Sequence, residues 1–137
     1  MRDDELHDYY GLDVPPPEHW PRAHAALLAA LESGRLRAAE RGADGTWRAV
    51  PWVKRAILLG FQRSEVAPTA NDPLPPFFDK TAYPLRELTL ADRVRLVPGG
   101  SSIRRGAFVA PGVGVVRPAY VNAGAYVDAG SMVDSHA

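Results

Sequence analysis

The residue types with the most chemical reach sit in the last third of this 137-residue chain. Asn122, Asp128 and Asp134 recur at a spacing of six, each directly after a valine (Val121, Val127, Val133). Successive side chains of an extended segment point to opposite sides. If the valines face a core, the three polar residues therefore face outward. An aspartate there can accept hydrogen bonds or serve as a general base, and a solvated surface carboxylate is the plain alternative. Arg95 precedes this stretch. Its planar fork suits paired hydrogen bonds to a carboxylate, though the residue alone reads more simply as a solvated surface arginine. His136 could act as a base on an acceptor group, or simply occupy a turn. The other histidines, His7, His19 and His24, all lie in the N-terminal part. One histidine cannot build a three-histidine metal centre, so no metal is expected. Gly99-Gly100 lacks the Lys-Ser/Thr and flanking elements of a phosphate loop.

These residues must be positioned by a repeat. From Ile103 the chain divides into hexads: IRRGAF, VAPGVG, VVRPAY, VNAGAY, VDAGSM, VDSHA. The first slot is Ile103, Val109, Val115, Val121, Val127 and Val133. The fourth is Gly106, Gly112, Pro118, Gly124, Gly130 and His136, and the fifth is small in five cases of six. This is the hexapeptide repeat of a parallel β-helix. The branched residue fills the interior, glycine permits the turn, and the small residue lets the chain pass a corner. Three hexads make one coil in this repeat class. Two coils are few for a repeat array, which needs about three units and a cap. The chain is therefore expected to be the front piece of a longer protein.

Upstream, residues 1–21 read as an acidic, then proline-rich arm with one short helical turn. Residues 22–33 carry Ala23, Ala26, Leu27, Ala30 and Leu31 on one helical stripe, with Gly34 as the C-terminal cap. A hairpin is expected over 36–50 around Asp44-Gly45. A second helix is expected over 51–62, started by Pro51, with Trp47, Trp52 and Phe61 in the core. Residues 64–84 are proline-rich and read as a wrapped connection anchored by Phe77, Phe78 and Tyr83. A short helix within 88–94 and a strand at 95–97 complete the reading.

Composition excludes several classes. Sixteen Lys+Arg balance sixteen Asp+Glu, leaving no electrostatic footprint for nucleic acid. No cysteine is present, which removes disulfides, thiolate nucleophiles and cysteine-based zinc sites. No apolar run approaches the roughly 20 residues that cross a bilayer. No membrane partner is expected, and a cytoplasmic location is.

The segments LESGRLRAAE, DGTWRAVPWVKRAILLGF, FFDK and RLVPGGSSIRRGAFVAPGVGVVRPAYVNAGAYVDAGSMVD carry a family resemblance. Over roughly residues 24–137 the chain resembles the tetrahydrodipicolinate N-succinyltransferases, with a weaker middle at 64–90. The resemblance implies an α+β N-terminal domain followed by the first coils of a left-handed parallel β-helix of the trimeric acyltransferase type. On this basis residues 1–94 form the N-terminal domain with its proline-rich connection (64–84), and residues 95–137 start the β-helix. The implied reaction moves a succinyl group from succinyl-CoA to the amine of tetrahydrodipicolinate in its open-chain amino-keto form, in the diaminopimelate route to lysine. Succinyl-CoA is a co-substrate, no permanently bound cofactor is implied, and the active sites lie between subunits of a homotrimer. Arg95 falls on the family's substrate-binding arginine and Asp134 on its substrate-contacting aspartate, the implied catalytic residue. Asn122 is a further substrate-binding candidate. Asp128 is taken as a coil-face residue without chemistry. The isolated chain is expected to be inactive, because the acyl-donor groove belongs to later coils. Two alternatives remain: a non-catalytic trimerisation fragment, and a different hexapeptide-repeat CoA acyltransferase using His136.

Overall fold

The computed structural model describes residues 1–68 and 77–137. The chain forms two compact units, Met1–Leu27 with Ala38–Pro84, and Leu28–Arg37 with Leu85–Ala137.

The first unit is α+β. Helix α1 (Asp3–Gly11) carries Asp3, Asp4 and Glu5 in its first turn, where negative charge offsets the helix dipole. The Glu5 carboxylate accepts the Arg2 backbone N–H at 2.9 Å. The segment expected as an arm is thus a packed helix, with Leu6, Tyr9 and Tyr10 buried. Its anchors come from far along the chain. In helix α3 (Pro51–Arg63), Arg63 donates to the Tyr9 hydroxyl at 3.2 Å and to the Pro15 carbonyl at 2.6 Å. Arg55 donates to the carbonyls of Leu12 and Asp13. Carbonyls of a proline-rich run have no ladder partner, and the arginines satisfy them. The Tyr10 phenol has no hydrogen-bond partner among the described residues, and burial pushes its pKa up.

Helix α2 (Trp20–Glu32) buries Ala23, Leu27, Ala30 and Leu31, the stripe expected from their spacing. His24 on this helix meets the Ala82 carbonyl at 2.9 Å through Nε2. Its ring stacks on Trp20 at 5.0 Å and meets Tyr83 edge-on at 5.1 Å. The Tyr83 hydroxyl donates to the Ile57 carbonyl at 2.6 Å. Tyr83 is therefore the anchor expected of the 64–84 connection. Phe77 and Phe78 are not, being 47% and 66% exposed. Ahead of Tyr83, strand β3 (Val66–Pro68) pairs antiparallel with β4 (Phe78–Lys80). The rest of that connection, residues 69–76, lies outside the described residues.

The hairpin forms as β1 (Ala39–Arg41) against β2 (Trp47–Ala49). It stands as an isolated two-stranded ladder whose six residues are all exposed. Trp47 is therefore 58% exposed and not in the core, while Trp52 and Phe61 are half-buried. The short helix expected within 88–94 is one 3₁₀ turn, Leu90–Asp92. The N–H and hydroxyl of Thr89, with Arg86 beside them, hold the Asp92 carboxyl below its usual pKa.

In the second unit the hexads become two-residue strands: β6 (Ser102–Ile103), β7 (Phe108–Val109), β8 (Gly114–Val115), β9 (Tyr120–Val121), β10 (Tyr126–Val127) and β11 (Met132–Val133). Ser102 pairs with Tyr120, Phe108 with Tyr126 and Gly114 with Met132, all in parallel. Strands three hexads apart are therefore stacked neighbours, and the chain winds a three-faced coil. Strand β5 (Arg95–Leu96) adds below β8, with Arg95 opposite Gly114. The inward slots Ile103, Val109, Val115 and Val121, with Ala107, Val113 and Ala119, make the core.

The last turn of α2 belongs to this unit. Glu32 takes a two-pronged ion pair from Arg105 (2.6 and 3.3 Å) and the Gly106 N–H at 2.9 Å. Gly34 then ends the helix at φ +74°. A Cβ there would meet the Phe108 and Tyr126 rings at 3.0 Å, so backbone angle and space both demand glycine.

Candidate functional site

The sequence pattern put Asn122, Asp128 and Asp134 outward, and all three are exposed. Each makes the same local contact: one side-chain oxygen accepts the N–H of the next residue at 2.8 Å. That contact fixes the side chain at the start of each corner. Asn122 Oδ1 also accepts the Tyr120 hydroxyl at 3.0 Å. Asp134 has no other partner among the described residues, so its second carboxylate oxygen is available to a ligand.

Six residues advance the chain by one face, so these three side chains stand at three different corners. Asn122 leaves the β6–β9 sheet, Asp128 the β7–β10 sheet and Asp134 the three-stranded β5–β8–β11 sheet. Asn122 and Asp134 are therefore not brought together within one chain. Arg95 and Asp134 do share a face. Arg95 opens the lowest strand of the β5–β8–β11 sheet, and Asp134 follows the highest. Two strand spacings, about 10 Å, separate those strands. Gly114 is opposite Arg95 on the middle strand, and the Arg95 guanidinium lies over it: a Cβ there would be in ordinary contact, 3.7 Å from Nε and 3.8 Å from Nη2. The face thus offers an exposed cation and an exposed carboxylate, with Gly114 and the exposed Met132 on the strands above Arg95.

His136 occupies a different kind of position. The fourth hexad slot holds a left-handed backbone at Gly106, Gly112, Gly124 and Gly130 (φ +78 to +89°), and His136 adopts φ +65° there. Its N–H donates to the Pro118 carbonyl at 2.6 Å. The residue closes a corner, as the turn reading expects. Pro118, the other exception, follows a cis peptide bond.

Among the described residues, no group of three His, Asp or Glu side chains is arranged to hold a metal ion, and no helix is long and apolar enough to cross a membrane. The sequence reading missed Gly114 and Arg117 as parts of the exposed face. Nothing in a single hexad marks them, because their relation to Arg95 and to Gly99 exists only between coils.

Residues 18–62 match the family model described as tetrahydrodipicolinate N-succinyltransferase N-terminal. The chain is 41% identical over 103 residues to a 2,3,4,5-tetrahydropyridine-2,6-dicarboxylate N-succinyltransferase of Paramagnetospirillum magneticum, covering 72% of this chain and 36% of that protein. Enzymes of the same name are 40% identical over 121 residues in Neisseria meningitidis (82% of this chain, 42% of that protein) and 44% identical over 104 residues in Leptothrix cholodnii (73% and 37%). The chain spans about two-fifths of the length of these relatives.

Proposed function

Because this chain is a sequence relative of the N-terminal part of the tetrahydrodipicolinate N-succinyltransferases, we propose that the protein it builds transfers a succinyl group from succinyl-CoA to the amine of L-2-amino-6-oxopimelate. This is the open form of tetrahydrodipicolinate, and the step belongs to the diaminopimelate route to lysine in the cytoplasm. Residues 1–94 serve as the N-terminal domain, and residues 95–137 begin a left-handed β-helix that assembles as a homotrimer.

The single observation that carries the site is the shared face of Arg95 and Asp134 on the β5–β8–β11 sheet. Arg95 takes one carboxylate of the acceptor through its fork. Asp134 holds the acceptor amine and receives its proton as nitrogen attacks the thioester carbonyl. The new amide C–N bond forms, the C–S bond breaks, and coenzyme A leaves as the thiol after protonation of its sulfur. Asn122 leaves a different face, so it reaches substrate polar groups from a neighbouring subunit.

The test supplies the length of the relatives that this chain does not span. Residues 1–137 are fused to the part of the Leptothrix cholodnii relative that this chain does not span, and thiol release is followed with succinyl-CoA and 2-aminopimelate. Turnover by the trimeric fusion is expected. A trimeric fusion that releases no thiol would sink the proposal.

A further inference from the structure

The acceptor chemistry printed in the relatives' names is a dicarboxylate, and Arg95 can hold only one of two carboxylates. A second exposed cation lies in the bend that follows β8, the middle strand of that sheet. Arg117 lies three residues beyond Gly114, just past the end of β8. Its side chain runs down over the loop that joins β5 to β6, where a Cβ on Gly99 would meet Cδ at 3.0 Å, Nη1 at 2.9 Å and Cζ at 3.5 Å. Gly99 also sits at φ +103°, a backbone angle that favours glycine, and the exposed Arg117 side chain lies against it.

The register explains why the loop has this shape. Leu96 is opposite Val115, nineteen residues on, while Ser102 is opposite Tyr120, eighteen residues on. The lower loop therefore holds one residue more than the turn stacked on it, and Gly99 and Gly100, both at positive φ, absorb the excess. Each arginine thus lies over a glycine: Arg95 over Gly114 and Arg117 over Gly99. Neither guanidinium has a hydrogen bond or ion pair among the described residues. Arg117 follows Gly114, under the Arg95 guanidinium, by three residues, so these two backbone positions lie at most about 10 Å apart, a span that two long arginine side chains and a seven-carbon dicarboxylate can bridge.

We propose that Arg117 and Arg95 form a two-ended clamp for the acceptor, Arg95 on one carboxylate and Arg117 on the other, with the amine directed toward Asp134. Arg117 is then a specificity-determining residue that selects dicarboxylates over monocarboxylates. The inference rests on the acceptor-site reading above.

Calorimetry on the full chain with 2-aminopimelate and 2-aminoheptanoate separates the two. These probes have the same carbon count and differ by one terminal carboxylate. The wild-type chain should bind 2-aminopimelate about tenfold more tightly. Arg117→Gln should bind both alike, and Arg117→Lys should keep part of the preference, since the charge remains and the fork is lost. A structural role for Arg117 would not move this ratio. An unchanged preference in Arg117→Gln, with affinity lost in Arg95→Gln, would overturn the clamp and leave the acceptor site standing. Absence of 2-aminopimelate binding by the wild-type chain would overturn both.

Discussion

Asp134, Asn122 and Asp128 show how much a six-residue period reveals about single side chains. Their outward direction follows from the inward valines before them. Their identical contact with the next N–H does not, because it depends on corner geometry that no hexad states. His136 was legible as a turn residue from its slot alone. The left-handed backbone it adopts costs a non-glycine residue about 1 kcal/mol or more. His136→Gly should therefore raise the melting temperature and leave turnover of the fusion described above unchanged. Thermal unfolding and a thiol-release assay check this. A large loss of turnover would return His136 to the mechanism as a base.

At the scale of elements, α2 and α3 were legible because their apolar spacing is local, and their observed bounds differ from the expected ones by one or two residues. Helix α1 was not. Its sequence DDELHDYYG has little apolar periodicity, and it is held by Arg55 and Arg63 more than forty residues away. Trp47 misled for the opposite reason: a large aromatic suggests a core, but among the described residues the β1–β2 ladder has no layer over it. The junction at Gly34 was half legible, as a helix cap, without the two rings packed against it. Gly34→Ala combines a left-handed φ with ring contacts at 3.0 Å, so it should destabilise the chain by about 1–3 kcal/mol. Urea unfolding measures this, and a loss below about 0.5 kcal/mol would mean that the junction relaxes freely.

At the scale of the molecule, the period of six specified eighteen residues per coil, and the observed pairs Ser102–Tyr120, Phe108–Tyr126 and Gly114–Met132 keep that interval. The interval decides which side chains can cooperate. Asn122 and Asp134, twelve residues apart, leave different faces, whereas Arg95 and Asp134 share one. That grouping was beyond sequence reading, because β5 joins the coil at an interval of nineteen through the Gly99-Gly100 loop rather than by the repeat. In the proposed reaction Asp134 acts on the acceptor amine from this shared face. The direct measurement is kcat of the Asp134→Asn variant of the fusion described above at saturating acceptor, with trimer mass checked by light scattering. Asparagine keeps the size and the contact to the Ser135 N–H while removing the charge and the proton acceptor. The account predicts an intact trimer with kcat lowered about 10²- to 10⁴-fold. An intact trimer with near-normal kcat would contradict it.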